Sequence, residues 1–344
     1  MDVERILETP IEPFEVKGGQ TVRDCLRRME SISFQARSLG AALRTWREML
    51  ADETTVLMGL SGAMVPAGMR HIISYLIEKR FIDCLVSTGA NLFHDCHEVL
   101  GRHHFKGDPS SDDVTLYRHG IDKIYDTFAR EEEFRMTDTF IADFARGLDP
   151  QRSYTTREFL MLLGRKLGSH TVESGILTAA AKASIPIYCP AIGDSSIGIA
   201  LTLLSAGAGE NLHFDVIRDV EELTTIVANS RKTGVIYIGG GTPKNFIQQT
   251  EVAASLLGRD VSGHDYAVQI IVDAPHWGGL SGCTFEEAQS WGKISASAKK
   301  VTLYCDATIA LPLLVTALAE EERDIRRGVT ITFRLGKNLE MTLS

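Results

Sequence analysis

The sequence predicts an α/β fold in which a mainly parallel sheet is flanked by helices and preceded by an N-terminal helical arm. Three observations predict it. Six short runs are continuously apolar and rich in Val and Ile, as strands buried on both faces are. Longer amphipathic segments alternate with them, the pattern of strand–helix–strand units. Five of the six loops that follow the runs carry glycine, and in open α/β sheets ligands gather where strands end.

In chain order, TVRDCLRRMESISFQARSLGAALRTWREMLA supplies the helical arm, residues 1–52. The catalytic-type α/β unit spans 53–320, with strands at 55–60 (TVLMGL), 83–88 (DCLVST), 185–190 (IPIYCP), 233–240 (TGVIYIGG), 266–273 (YAVQIIVD) and 301–307 (VTLYCDA). The whole stretch VTLYCDATIALPLL reads as strand-like, with Asp306 in its middle. Helical segments between the strands include AGMRHIISYLIEKR, SSIGIALTLLSAG, DVEELTTIVANSRK and KNFIQQTEVAASLLG. Residues 122–168 are polar and mostly helical in pattern and read as an insertion. The tail, 321–344, alternates around Gly336-Lys337-Asn338 like a hairpin.

The chain has 344 residues, enough for a substantial core, and is 44% hydrophobic and 24% charged. A net charge of −9 argues against a broad nucleic-acid surface and suits cationic substrates. No apolar run approaches the roughly 18–20 residues of a membrane span. The N-terminus has no apolar signal core, so a cytoplasmic location is expected. Six scattered cysteines without a C-x-x-C pair predict a reduced chain and no structural metal.

Four stretches could carry chemistry. IGGGTPKN (238–245) sets three glycines between a strand and a helix, where backbone can approach a phosphate and a helix N-terminus favours its charge. It is neither a G-x-G-x-x-G nor a P-loop motif. Asp194 (AIGDSS) and Asp306 (YCDAT) sit at strand ends, and each could accept from ribose hydroxyls or cap a helix. FHDCHEVLGRHHFKGD (93–108) offers His94, Asp95, His97, His103 and His104, but without a zincin spacing; His94 pointing into a site is the better reading. Finally, EEAQSWGKI places Lys293 after Trp291 and Gly292, with Glu286 and Glu287 upstream. An indole beside an amine can desolvate it and leave a neutral nucleophile, while Gly292 permits close approach.

At these residues the chain resembles the deoxyhypusine synthase family, with a divergent, bacterial-type substrate site. The resemblance rests on EEAQSWGKI with VTLYCDATIALPLL, and on LVSTGAN (85–91), CPAIGDSSIG (189–198) and IGGGTPK (238–244) in the same order. It covers about Glu53 to Leu318. It implies a Rossmann-like fold, NAD as cofactor, and a homotetramer with active sites at dimer interfaces. It also implies a redox-neutral transfer of an aminobutyl group from spermidine. NAD takes a hydride, a catalytic lysine captures the resulting imine carbon, 1,3-diaminopropane leaves, and an acceptor amine receives the group as the hydride returns. The acceptor is a protein lysine in deoxyhypusine synthesis and putrescine in homospermidine synthesis.

By the same resemblance Lys293 matches the catalytic lysine and Glu287 an acid that holds the polyamine. Thr88, Gly89, Asp194, Gly240, Gly241, Asp306 and Ala307 match the cofactor site. The departures lie on the substrate side. Phe93 and His94 stand where the family has acids, Ile199 and Leu280 replace two more, Asn245 replaces a histidine, and Pro66 a small polar residue. A cationic amine needs carboxylates or π faces to offset desolvation, so His94, Asp95, His276, Trp277 and Trp291 become candidates for holding a different amine. His94 and His276 are also the candidate proton-transfer bases. The expected activity is therefore an NAD-dependent, redox-neutral alkylamine transfer through Lys293. The acceptor is a protein lysine or a small amine, and the alternatives are a silent NAD-binding scaffold or sensor and a plain dehydrogenase.

Overall fold

The computed structural model describes residues 7–208, 211–279 and 282–344, with 205–208 described by backbone alone. Six strands form the central sheet: β1 (Thr54–Leu60), β2 (Cys84–Ser87), β3 (Ile187–Tyr188), β4 (Lys232–Ile238), β5 (His264–Ile271) and β6 (Ile294–Tyr304). Their order is β6-β5-β4-β1-β2-β3, and every neighbouring pair is parallel. This is the doubly wound order, with its switch point where β1 and β4 lie side by side and their connections diverge to opposite sides.

Burial explains which runs became strands. All seven residues of β1 are buried, as are six of seven in β4 and seven of eight in β5, so periodicity is absent and only continuous apolarity marks them. One face of the sheet, with Met58, Ile236, Val268 and Ile270, packs on Leu43, Trp46, Met49 and Leu50 of the helix Phe34–Ala51. The opposite face, with Leu57, Val235, Tyr237 and Ala267, packs on Ile226, Ile247 and Phe285. Each fully buried Leu, Ile or Phe contributes roughly 1.5–3 kcal/mol through removal from water. Gly234 is required by closeness, since a Cβ there would lie 2.6 Å from Met49.

Two elements differ from the sequence reading. The strand-like run 301–314 divides: β6 starts seven residues earlier, at Ile294, and ends at Tyr304, and Ala307–Glu320 is a helix. Asp306 is its N-cap, accepting from the Thr308 backbone N–H and hydroxyl. The run 185–190 narrows to two residues of β3, at the sheet edge. Residues 121–130 form a hairpin (Ile121–Ile124, Thr127–Arg130), followed by helices Glu131–Arg146 and Thr156–Gly168. The tail pairs antiparallel, Ile331–Leu335 with Leu339–Leu343. All six cysteines are free. Among the described residues no helix is long and apolar enough to cross a membrane, and no cluster of His, Cys, Asp and Glu could hold a metal ion.

Candidate functional site

The loops after β1, β2, β4, β5 and β6 enclose a cleft of about 420 Å³ at the carboxyl edge of the sheet. Thr88, Gly240, Gly241, Asp306 and Ala307 line it, together with Ser61, Asp273 and Thr308. The glycine run is held open by backbone geometry. Gly239 has φ +76° and Gly241 φ +58°, conformations that side chains resist. Gly241 opens the sixteen-residue helix Gly241–Leu256, so its free N–H groups face the cleft edge. Ser61 fixes the turn by donating to the Gly240 carbonyl at 2.6 Å.

Both hydrogen bonds to Asp306 use Oδ1, leaving Oδ2 without a hydrogen-bond partner among the described residues. The Thr308 hydroxyl, then its N–H, hold this carboxyl below the usual carboxylate range. A charged acceptor, phosphate-sized glycine turns and a helix N-terminus fit a dinucleotide. Gly89 and Asp194 stand just outside the lining. A Cβ on Gly89 would lie 2.3 Å from the Ser195 hydroxyl, so the loops carrying these two residues touch.

Lys293 lies elsewhere. It immediately precedes β6, at the amino edge of the sheet, where Ile294 pairs with His264. Asp306 follows the same strand at its other end. The partner strand, eight residues long, separates those edges by roughly 23 Å at about 3.3 Å per residue. The backbone of Lys293 is pinned on both sides, donating to Ala288 and accepting from His264. The residue is only 8% exposed. Its Nζ sits 5.3 Å from the Trp291 ring centroid, and Trp291 itself is 64% exposed. The indole is thus an open π face beside the amine and not a lid over it.

Glu287 is exposed on the helix Phe285–Ser290, whose N-cap is Thr284. Its carboxylate has no ion-pair or hydrogen-bond partner among the described residues, whereas the neighbouring Glu286 pairs with Lys300 at 3.0 Å. A free carboxylate on the helix that leads into Trp291 and Lys293 is available to a cationic amine.

The two histidines go to different places. His94 lies on the helix Gly89–Val99, after β2 and four strand spacings from β6, roughly 19 Å at about 4.8 Å each. Its Nδ1 is 3.0 Å from His104 Nε2, whose Nδ1 is 2.8 Å from Glu98. Phe134 packs edge-on against it. Burial, then His104 and His97, push His94 down to about 3. Within one chain it is therefore neither beside Lys293 nor a base near neutrality. Phe93 is core, and Asp95 is buried, accepting from the Ile176 and Leu177 N–H groups, which excludes it as an amine ligand. His276 is exposed in the turn after β5, its ring tilted by 47° against Trp277 with centroids 4.7 Å apart. Ile199 and Asn245 are exposed, Pro66 is buried, and Leu280 lies outside the described residues.

A residue the sequence reading passed over stands between the two regions. Lys244 is 2% exposed and reaches from the glycine-run helix toward Cys283. Its only signal in the sequence was a lysine one turn into a helix that buries its neighbours.

The family model for deoxyhypusine synthase matches residues 24–318. The "Probable deoxyhypusine synthase 2" of Methanosarcina acetivorans is 53% identical over 326 residues, covering 94% of each chain. That of Archaeoglobus fulgidus is 56% identical over 291 residues, 84% of this chain and 95% of its own. A crystal structure from Entamoeba histolytica, provisionally described as a deoxyhypusine synthase, shares the fold with TM-score 0.63 at 17% identity. The match covers 92% of this chain and 98% of that one. A match over most of the length, on a sheet of this order, with the lysine-bearing WGK turn in place, shows that the chain belongs to the deoxyhypusine synthase family.

Proposed function

We propose that the protein is an NAD-dependent transferase that carries an aminobutyl group through an imine on Lys293 to an amine acceptor. The observation that carries this reading is the placement of Lys293: pinned by its backbone, nearly buried, and beside an open indole, with the exposed Glu287 on the helix that leads into it. Bound NAD would accept a hydride from the donor and later return it. Ser61, the glycine run and Asp306 would hold it.

The chain's own part is amine exchange. The Lys293 lone pair attacks the imine carbon and forms the new C–N bond; the bond to the leaving amine breaks, and that amine departs with the proton. The acceptor amine repeats the exchange and frees Lys293. Glu287 offsets a charged end of the amine, and Trp291 offers a π face to it. The acceptor is a protein lysine or a small amine giving a homospermidine-like product.

The separation of Lys293 from the cofactor cleft supports a site shared between copies in a homo-oligomer, with the lysine edge of one facing the cleft of another. His94, distant from Lys293 in its own chain, would meet the substrate across that contact. His276, in the turn following β5, is the better placed proton carrier.

The test is borohydride trapping with NAD and a panel of spermidine, putrescine and agmatine, read by peptide mass spectrometry. An adduct on Lys293 that requires NAD and one amine supports the reading and names the donor. NAD binding with no adduct from any amine contradicts it and leaves a silent NAD-binding scaffold. Asp306→Ala is expected to weaken NAD binding about 10- to 100-fold, the worth of a hydrogen bond to a charged acceptor. Calorimetry checks this, and unchanged affinity would remove Asp306 from the cofactor site.

A further inference from the structure

Lys293 itself meets the sheet at one place. His264 pairs with Ile294, and its N–H donates to the Lys293 carbonyl at 3.1 Å. Beyond that pair the ladder breaks: β6 advances five residues while β5 advances two, and pairing resumes at Tyr266 and Lys299. The main run of the sheet therefore does not hold the lysine; the turn at Gly263–His264 does. The fit there is close. A Cβ on Gly263 would lie 2.6 Å from the Ile294 carbonyl carbon and the Ser295 nitrogen, and 3.0 Å from the Gly292 carbonyl oxygen. The turn thus touches the chain on both sides of the lysine.

A buried carboxyl holds this turn. Glu251, on the helix Gly241–Leu256, accepts from the Gly263 N–H at 3.1 Å through Oε2. Its Oε1 is 3.4 Å from Nδ1 of His264, a fully buried imidazole that is also 2.8 Å from the Thr233 hydroxyl. Burial pushes the Glu251 carboxyl up to about 7 and His264 down to about 4, so near pH 7 the ring is neutral and their contact is not an ion pair. Glu251 has no other basic partner among the described residues. A carboxyl taken out of water without a cation is costly, and here both of its oxygens face one turn.

We propose that Glu251 is a positioning residue for Lys293: with Thr233 it fixes the Gly263–His264 backbone, which holds the Lys293 carbonyl and so sets where the lysine side chain begins. The inference deepens the proposed function and rests on it for the role of Lys293. Glu251 lies ten residues beyond Gly241 on one helix, roughly 15 Å along the axis at about 1.5 Å per residue. It therefore acts on the lysine edge and leaves the glycine run alone.

The first readout needs neither NAD nor an amine. Hydrogen–deuterium exchange of the full chain is resolved to single amides by fragmentation mass spectrometry. The His264 amide, bonded to Lys293 and not to Glu251, is compared with the amides of β1. In Glu251→Leu it is expected to exchange at least about tenfold faster relative to β1. In Glu251→Gln, which keeps an acceptor for Gly263, it should stay within about twofold of wild type. Thr233→Val, milder and isosteric, is expected to quicken it about threefold and stands in where the leucine variant does not fold. The second readout is transfer per bound NAD. In Glu251→Leu kcat is expected to fall about 10- to 100-fold with the Kd for NAD within about twofold, as a displacement of about 1 Å at a reacting group would do. Where the wild-type chain transfers no amine, which tells against the proposed function, the exchange readout decides alone. A His264 amide that quickens no more than β1 in the folded variants would overturn the proposal. Wild-type kcat in a leucine variant whose His264 amide has lost its protection would overturn it as well.

Discussion

Lys293→Ala is expected to abolish the trapped adduct and to lower transfer by at least about a thousandfold, while NAD binding stays within about twofold. The size follows from covalent catalysis: without the amine, the imine carbon has no protein nucleophile, and splitting one hard exchange into two easier ones is lost. The selectivity follows from the fold. Lys293 stands at the opposite end of β6 from Asp306, so its truncation does not reach the glycine run. Lys293→Arg separates charge from nucleophilicity, because it keeps a cation over Trp291 and has no amine to give; it should be as inactive as the alanine variant. Steady-state transfer and calorimetric NAD titration on the same preparations check both halves. Substantial turnover in either variant would move the nucleophile elsewhere.

Arg157→Met is expected to cost about 3 kcal/mol of stability, near the low end for breaking a buried ion pair. Arg157 is fully buried and grips Glu222 with two hydrogen bonds, at 2.8 and 2.9 Å. It also donates to the carbonyls of Gly336 at 2.8 Å and Lys337 at 3.3 Å, which holds the C-terminal hairpin onto the domain. Removing it strands the Glu222 carboxylate, with Arg218 3.9 Å away as partial replacement, and releases the hairpin turn. Thermal unfolding should fall by about 4 °C. The double variant Arg157→Met with Glu222→Leu should recover part of the loss, since no buried charge is then left alone. A midpoint unchanged within a degree in the single variant would contradict this account of the hairpin.

Much of the sheet was legible because buried parallel strands advertise themselves as continuous apolar runs, as TVLMGL and YAVQIIVD do. The first half of β6 did not. It is an edge strand, ISASAKK is largely polar, only its first two residues are buried, and it carries a bulge against β5. Missing that half hid the fact that Lys293 leads straight into a strand, and so hid which edge of the sheet it occupies. Asp306 was read correctly as a strand-end carboxylate, but the apolar run ATIALPLL concealed the helix it caps. Five of the seven candidate cofactor residues line one cleft, because glycine turns and strand ends are local features, while Gly89 and Asp194 stand outside its lining. The surroundings of His94 were hidden for a related reason: being close to a strand end in sequence does not tell which way a side chain leaves its helix, and this one turns toward His104 and Phe134. Lys244 lay within a quoted motif, yet only tertiary packing shows that its amine is buried without a counter-charge among the described residues.

The most direct test of the account is complementation between two inactive variants, Lys293→Ala and Asp306→Ala, assayed at an NAD concentration below the Kd of the second. Each keeps the half of the site that the other lacks. Co-expressed and assembled at random, they are expected to regain about a quarter of the wild-type transfer activity, because one in four lysine–cleft pairings is then intact. No activity above that of the separate variants would contradict a site built from the lysine edge of one copy and the cofactor cleft of another.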